Sequence, residues 1–422
     1  MNKRYPFPNT RLWKALFAVY LFLLLYLTRV SQVSHYLLGF YKAQALTFAI
    51  TSAAVVCFLI RQRKALLSVL LNYRVLVALL MGIAVLAPMC LKRDWTMMYF
   101  SVLFSALLGV FISYFLSCRR AAKYYCLLLT ALALYSLVAF FLLRPLADVG
   151  ILPVPTFHNE YGAEFYNFLF SFVSITFARE RNFGFFREPG VYQFFLFLAL
   201  YLCFYQVDWR KEAHMWIAGG ILSVTLLSTF ATGGVAATAL FLLAVYFDKK
   251  VYSTPLGRKL TLAFLVLLVL GGAFALWKMP RLLRYVQMML QKIQPGNPSS
   301  DDRLESIRFN LYVIQWTPFV GRTVSYILES VAHNTSSTTI LIGILGVLGG
   351  SINLLAWIVL VCRGKGTWYA KLVSLLALAI TFNTQNLISD PFLWIFPMMA
   401  TVEALGSLWG RSRNKRNSVH GS

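Results

Sequence analysis

Long apolar runs recur along this chain and constrain its fold more than any other feature. They repeatedly reach the roughly 17 to 25 residues that an α-helix needs to cross a bilayer. Hydrophobic residues make up 59% of the chain and charged residues only 13%. The sequence therefore predicts an all-α polytopic membrane protein that forms one transmembrane domain.

Twelve membrane spans are predicted. The first apolar run follows basic residues, as in a signal peptide, but no cleavage-site pattern of small residues comes after it. It is therefore interpreted as a retained span. The spans lie near residues 15–33, 43–60, 75–91, 96–117, 124–143, 189–207, 214–230, 233–247, 260–277, 337–361, 372–383 and 392–408.

The distribution of basic residues predicts the orientation of these spans. A net charge of +24 is compatible with nucleic-acid binding, but the basic clusters fall on alternate loops and at the end of the chain. That pattern follows the rule that basic loops stay in the cytoplasm. We therefore expect a multi-pass plasma-membrane protein with both termini cytoplasmic and no nucleic-acid partner. The clusters are Arg61 to Lys64, Arg119-Arg120, Lys249-Lys250 and Arg411 to Arg416.

Two longer segments, 144–188 and 278–336, are predicted outside the cytoplasm. In the first, Phe165 to Phe177 is apolar but too short for a span, and it suggests a re-entrant or interfacial helix. In the second, Leu304, Ile307, Leu311 and Ile314 recur at helical spacing after the capping pattern Ser299 to Asp302. This pattern predicts a short amphipathic helix over the membrane surface.

Arg187-Glu188 at the mouth of the sixth span is the sharpest local feature of the first segment. Charged residues near membrane depth are costly and usually face a cavity or each other. Arg187 can grip a phosphate with two hydrogen bonds, and Glu188 can accept a proton or orient the arginine. In the alternative interpretation, Arg187 reaches to the interface and Glu188 only caps the helix that begins at Pro189.

The second segment carries five arginines that are candidates for an anion site. The alternative is an ordinary solvated surface, in which Glu305 and Arg308 form a helical pair. Asp301-Asp302 resembles a metal-binding pair, but helix capping explains both residues, and no metal or cofactor is predicted. The candidates are Arg281, Arg284, Arg303, Arg308 and Arg322, of which Arg281 and Arg284 rank first.

His333-Asn334 ends the basic loop, and the predicted helix that follows contains several glycines. The near-neutral pKa of histidine makes His333 a candidate general base for a hydroxyl, and Asn334 a candidate substrate contact. The alternative is an interfacial histidine with a polar neighbour. Two polar stretches, Ser228 to Gly234 and Asn383 to Asn386, are expected at the same face, where they either floor one cavity or serve helix packing.

In the order and spacing of these motifs, the chain resembles the bacterial O-antigen polymerase and O-antigen ligase superfamily. The resemblance covers about half of the chain, roughly Arg179 to Asp390. The matching residues are Phe186 to Gly190, the Ser228 to Gly234 turn, the long loop, and His333-Asn334 followed by Gly343 and Gly346.

This resemblance implies a GT-C-like fold and a metal-independent glycosyl transfer at the outer face of the bacterial plasma membrane. The donor would be an oligosaccharide on undecaprenyl pyrophosphate, and a flippase and a chain-length regulator are possible partners. In the ligases, arginines of the long loop and a histidine are the functional groups. By position, the resemblance assigns these roles to Arg284 and His333. Ligases often carry an arginine where this chain has Thr232-Gly233-Gly234, so the pattern favours a polymerase of O-antigen, capsule or exopolysaccharide repeats.

Two other functions stay open at this point. An O-antigen ligase would use the same chemistry to transfer the finished glycan to an acceptor. A transporter or flippase of lipid-linked glycans would also need many spans and an anion-binding cavity. Transporters tend to show repeated halves and charged or broken helices at mid-membrane, whereas no repeat is visible here and the ionisable residues gather at one face.

Overall fold

A computed structural model of the protein describes residues 11–61, 72–159, 162–255, 298–331 and 334–419. This part of the chain is mostly helical. The helices are α1 (Arg11–Tyr26), α2 (Phe40–Arg61), α3 (Tyr73–Lys92), α4 (Met97–Ile112), α5 (Cys118–Val138), α6 (Arg144–Asp148), α7 (Pro189–Tyr205), α8 (Glu212–Ser228), α9 (Thr232–Asp248), α10 (Pro298–Trp316), α11 (Val324–Glu329), α12 (Ser337–Cys362), α13 (Trp368–Phe382) and α14 (Ile395–Val419).

Within the described ranges, four helical stretches are long and apolar enough to cross a membrane. They are Tyr73–Lys92, Cys118–Asp148, Ser337–Cys362 and Pro391–Trp409, and six shorter apolar helices accompany them. On α3, the large side chains of Leu79, Ile83 and Leu91 are exposed. An exposed apolar face of this kind is typical of contact with lipid. The chain is thus a helical membrane protein, and helices overlap every predicted span except 260–277, which lies outside the described residues.

The helices alternate in direction between two ends of the bundle. At the first end, which we call the Asn182 end, the side-chain amide of Asn182 donates to the hydroxyls of Ser136 and Ser228. At the opposite end, which we call the Glu403 end, Glu403 accepts from the backbone N–H of Cys118 and pairs with Arg363 at 3.3 Å. The short connections between successive helices produce this alternation.

Helix α7 lies at the centre of the bundle. It is apolar on every face, and all of its residues except Gly190 are buried. A helix with this pattern is covered either by lipid or by other helices, and this one is covered by helices. Helices α5, α8, α9 and α13 pack around it. Its first residue is Pro189, as predicted, and its N-terminus opens at the Asn182 end.

The prediction of a re-entrant or interfacial helix at Phe165 to Phe177 is wrong. This region forms a three-stranded antiparallel sheet of β1 (Thr156–His158), β2 (Glu164–Asn167) and β3 (Phe172–Ser174). Aromatic residues favour the half-buried pleated surface of a strand over a lone short helix. The ring of Phe165 stacks on Phe157 at 5.5 Å and meets Phe183 edge-on at the same distance.

The break between the seventh and eighth predicted spans is present. Helix α8 ends at Ser228 and α9 begins at Thr232, so the break falls on Thr229 to Ala231, just before the predicted glycines. Phe230 adopts a left-handed backbone conformation with φ of 46°. That conformation turns the chain sharply enough to reverse its direction.

The predicted helix in the second segment is also present, as α10, but it turns a different face inwards. Ser306, Asn310 and Val313 are buried against the bundle, whereas Leu304 and Leu311 are exposed. Helical spacing fixes which residues share a face, but it does not say which face a neighbouring helix covers.

Helix α12 is interrupted at Gly346, which has φ of 73° and ψ of 171°. A Cβ atom at this position would lie 2.1 Å from the carbonyl oxygen of Phe319. The loop after α10 fits against this interruption, where the N–H of Val347 donates to the carbonyl of Pro318 at 2.6 Å. Only glycine satisfies both the positive φ and the close approach.

We expect Gly346→Ala to lower the thermal stability of the purified protein strongly, because both the backbone and the Phe319 carbonyl would have to move. Gly220→Ala is the matched control, since a Cβ at Gly220 in α8 meets nothing within 4 Å. In a helix interior that exchange favours folding by about 1 kcal/mol. Equal melting temperatures for the two variants would contradict the role of Gly346.

Candidate functional site

A short strand-like pairing holds the entrance to α7. The backbone N–H of Gln32 donates to the carbonyl of Phe185 at 2.9 Å, and the N–H of Arg187 donates to the carbonyl of Val30 at 3.0 Å. The segment between α1 and α2 therefore fixes the backbone on which Arg187 and Glu188 sit.

The side chain of Arg187 lies between His35 and Glu188. Its Nη1 atom is 3.3 Å from Nε2 of His35, and its Nε atom is 3.7 Å from Oε1 of Glu188. A guanidinium can only donate, so Nε2 of His35 is the acceptor and carries no proton in this pair. Sequence analysis gave His35 no role, because nothing in its neighbourhood along the chain points to a partner 152 residues away.

The carboxylate of Glu188 does not cap α7. It occupies the position before the first helical residue, but its side chain makes no capping hydrogen bond. Half of the side chain is exposed, and its nearest charged partner is Arg187. The alternative in which Glu188 serves only as a cap is therefore wrong.

Two further arginines, Arg181 and Arg303, lie within electrostatic range of this carboxylate. Burial lowers the pKa of Arg181, the charge of Glu188 opposes this shift, and the charge of Arg303 adds to it. Burial likewise lowers the pKa of Arg303, and Glu188 again opposes the shift. Arg181 and Arg303 are thus near enough to Glu188 and to each other for their charges to interact. Nε of Arg181 donates a 3.0 Å hydrogen bond to the carbonyl of Thr229.

We call Arg181, Arg187, Arg303 and Glu188 the arginine cluster. Glu188 pairs with Arg187 at 3.7 Å, and its charge also acts on Arg181 and Arg303. With three guanidinium groups and one carboxylate, the cluster carries an excess of positive charge at the Asn182 end. Of these groups, the sequence singled out Arg187, Arg303 and Glu188 but not Arg181. The spacing of residues along the chain does not point to Arg181, because only the fold of the loop places it near Glu188.

Three helix N-termini meet one segment next to the cluster. Helices α7 and α9 begin without a side-chain cap, whereas a side chain from the segment that follows α13 caps the first turn of α12. Thr384 accepts from Nε2 of Gln193 in α7 at 2.8 Å, and its methyl group lies 3.0 Å from where a Cβ of Gly233 in α9 would be. The side-chain oxygen of Asn383 accepts from Thr338 in α12 at 2.9 Å.

The two polar stretches that the sequence placed at one face are therefore in contact. Uncapped helix N-termini present free N–H groups and the positive end of the helix dipole, and both favour an anion. Near them, Oε1 of Gln193, Oγ1 of Thr232 and Oγ1 of Thr335 are buried and have no hydrogen-bond partner among the described residues. Buried polar atoms of this kind usually have partners.

Asn334 has a different environment. It exchanges two hydrogen bonds of 2.9 Å with the amide of Asn310, and it also donates to the carbonyl of Ile327 at 2.9 Å. This reciprocal pair ties α10 to the start of α12. Asn334 thus holds the arrangement of α10 rather than presenting its amide to the cluster.

Arg308 and Arg322 lie apart from the cluster. Arg308 is exposed, and on a helix the five residues that separate it from Arg303 turn it about 140° away. Arg322 is exposed beyond the other end of α10, roughly 20 Å along the helix from Arg303. Its guanidinium stacks over the ring of Tyr326 at 5.6 Å.

Three predicted site residues, Arg281, Arg284 and His333, lie outside the described residues. In the ranges that the structure does describe, no group of three or more His, Cys, Asp or Glu side chains is arranged to hold a metal ion.

Asp390 closes the segment that contains Thr384. It is buried, accepts from the hydroxyl of Thr28, and accepts from the N–H of Phe392 at 2.8 Å. Burial raises the pKa of its carboxyl to about 6, although the hydrogen bonds from Thr28 and Phe392 act in the opposite direction. The folded protein therefore holds this proton more tightly than the unfolded chain does.

Asp390→Asn is expected to gain stability relative to the original protein as the pH rises. Between about pH 4 and pH 6 the folded state binds the extra proton, so ionisation of Asp390 destabilises the fold as the pH increases. The amide of the variant cannot ionise. The difference in free energy of unfolding between the two proteins therefore grows to about 3 kcal/mol above pH 6. Thermal unfolding of both proteins from pH 4 to pH 7 measures this difference in stability. A difference that stays constant with pH would contradict the raised pKa of Asp390.

Comparisons of the chain with protein-family models, with curated proteins and with solved structures give no match. The chemistry of the site therefore has to be argued from its own residues.

The arginine cluster is expected to bind inorganic pyrophosphate. Loss of one charge-assisted hydrogen bond costs about 1.5 to 3 kcal/mol, so Arg303→Ala should weaken binding about 10- to 100-fold. Arg308→Ala, on the same helix but outside the cluster, is the matched control and should stay within about twofold. Titration of the protein in lipid nanodiscs measures both, and equal affinities would exclude the cluster as the binding site.

Proposed function

We propose that this protein is a membrane glycosyltransferase that polymerises oligosaccharide repeat units carried on undecaprenyl pyrophosphate. The observation that carries the proposal is the arginine cluster, which lies at the end of a helical membrane bundle beside the uncapped N-termini of α7 and α9. A lipid-linked pyrophosphate needs an apolar body for its tail and a cationic site for its head group. The chain offers both within a few residues of Pro189.

The reaction joins a sugar hydroxyl of one repeat to C1 of the sugar that is linked to pyrophosphate on another. A bond forms from the hydroxyl oxygen to C1, the bond from C1 to the pyrophosphate oxygen breaks, and undecaprenyl pyrophosphate leaves. Negative charge grows on the leaving group. Preorganised donors aimed at such a charge are typically worth about 10²- to 10³-fold in rate each, and Arg181, Arg187 and Arg303 are suited to this role.

The hydroxyl proton has to pass to a base as the new bond forms. Glu188 is the candidate base in the cluster, and His333 is the candidate from the loop. His35 positions Arg187 by accepting its hydrogen bond. The guanidinium groups supply the positive charge at the leaving group, so the proposed reaction is metal-independent.

The proposal includes twelve spans in a GT-C-like arrangement, with both termini in the cytoplasm of a bacterial cell. The alternating helix directions support an even number of crossings if the undescribed residues 256–297 include the predicted span 260–277. The basic clusters at Arg119-Arg120 and Lys249-Lys250 lie at the Glu403 end, as expected if that end faces the cytoplasm. The arginine cluster would then face outwards, where lipid-linked repeats are joined.

Substitutions in the cluster are expected to abolish long chains without lowering the amount of protein. Arg181→Ala, Arg187→Ala and Arg303→Ala should each reduce long-chain product at least tenfold, because each removes a cation from the leaving group. The measurement is the ladder of chain lengths on a gel, beside an immunoblot of the tagged protein. Arg308→Ala is the matched control, and we expect the same loss for Arg284→Ala and His333→Ala.

A gene deletion separates the polymerase from a ligase with the same chemistry. Loss of a polymerase leaves single repeats attached to the acceptor, whereas loss of a ligase leaves none attached. Normal ladders in all three cluster variants would remove the cluster from the reaction and overturn the proposal.

A further inference from the structure

Three cationic residues collect where a lipid-facing helix ends. The exposed apolar face of α3 finishes at Leu91, whose side chain is 72% exposed. Lys92 and Arg93 follow directly, and the backbone of Arg322, in the loop between α10 and α11, contacts Lys92. We call Lys92, Arg93 and Arg322 the boundary patch, because they lie where the apolar surface of α3 gives way to polar residues.

Hydrogen bonds fix the backbone of the boundary patch. The ammonium group of Lys92 donates to the carbonyl of Arg322 at 2.9 Å and to the carbonyl of Ile344, two residues before the interruption of α12. Asp94 accepts from the N–H of Val324 at 2.7 Å. The hairpin after α3 and the loop after α10 are therefore joined at two points, and this joint lies against α12.

The two arginines of the patch still have hydrogen bonds to offer. Both are exposed, and their guanidinium groups make no hydrogen bond or ion pair with any described residue. Asp94 offsets one positive charge, but its oxygens already accept from the hydroxyl of Thr96 at 2.6 Å and from the N–H of Val324. A guanidinium carries five N–H donors, so the patch offers a surplus of donors to an anion.

Large apolar side chains flank the patch. Trp95 in the hairpin is 65% exposed, Phe319 in the loop is 74% exposed, and Leu348 in α12 is 73% exposed. Phe319 and Leu348 come together at the interruption of α12, where the N–H of Val347 donates to the carbonyl of Pro318 at 2.6 Å. Tryptophan at the end of a membrane helix is typical of the level of the lipid head groups.

Basic side chains at the end of a membrane helix often extend into water, and this is the alternative for the boundary patch. It does not account for the arrangement, because the bonds of Lys92 and Asp94 hold two arginines from distant parts of the chain in neighbouring stretches of backbone. Like charges held near each other repel, and a shared anion removes that repulsion. The flanking apolar side chains favour an anion that carries its own hydrocarbon.

We propose that the boundary patch binds the phosphate head group of an anionic phospholipid from the surrounding bilayer. Arginine pairs with a phosphate through two parallel N–H donors, which a lysine does not offer. The acyl chains lie along the exposed face of α3 and beside Leu348. A lipid held by Arg93 and Arg322 joins α3 to the loop after α10, so it strengthens the joint that Lys92 and Asp94 make.

The test titrates the purified full chain in a non-ionic detergent with phosphatidylglycerol, and bound lipid is counted by native mass spectrometry. Arg93→Asn and Arg322→Gln are each expected to weaken binding about fivefold, and the double variant about 25-fold, because each removes one cation from an anionic lipid. Asparagine tolerates the left-handed backbone of Arg93, which has φ of 54°. Arg308→Ala, another exposed arginine, is the control and should stay within about twofold.

A second titration uses phosphatidylcholine, which has a phosphate but no net charge. We expect weaker binding that changes by less than about twofold in the variants. Phosphatidylglycerol affinity that is equal in the double variant and the original protein would overturn the proposal. An equal loss for both lipids would also overturn it, since the change would then reflect the apolar surface or the fold rather than charge.

Competition with undecaprenyl phosphate identifies the source of the phosphate. Weak displacement of phosphatidylglycerol by this lipid supports the proposal, whereas displacement at a far lower concentration would assign the patch to a lipid-linked substrate and overturn it. The affinity of the double variant for inorganic pyrophosphate should stay within about twofold, because the arginine cluster is intact. Loss of that affinity would make the patch part of the cluster and would likewise contradict a separate lipid site.

Discussion

The complete burial of α7 is the constraint on which the rest of the structure depends. A helix without a polar face can be covered by lipid or by other helices, and here α5, α8, α9 and α13 enclose it. Enclosure fixes where its N-terminus emerges. The charged residues that precede Pro189 cannot follow the helix into the apolar interior, and they therefore collect at its mouth together with the charges of neighbouring loops.

This mouth concentrates positive charge by two independent means. The side chains of Arg181, Arg187 and Arg303 contribute full charges, and the uncapped starts of α7 and α9 contribute partial charges from free N–H groups. Glu188 offsets only one of the full charges. Half-burial reduces the screening that water would give, so an incoming anion meets a stronger field there than at the exposed Arg308 or Arg322.

Where sequence reasoning failed, the cause was tertiary contact rather than local propensity. The aromatic run near Phe165 becomes strands because Phe157 and Phe183 are present to pack against it. Helix α10 keeps its predicted position but buries Asn310 instead of its leucines, because the amide of Asn334 is there to pair with it. Hydrophobic periodicity predicts that an element exists and does not identify its neighbour.

The sequence by itself determined the membrane class and the position of nearly every helix, because span length and hydrophobic periodicity are local properties. It also named Arg187 and Glu188 as candidate site residues, because charge at membrane depth is costly. Only the tertiary structure decided which groups join them. Arg181, His35 and Arg303 come from three separate segments. Their proximity follows from helix packing, which no spacing along the chain encodes.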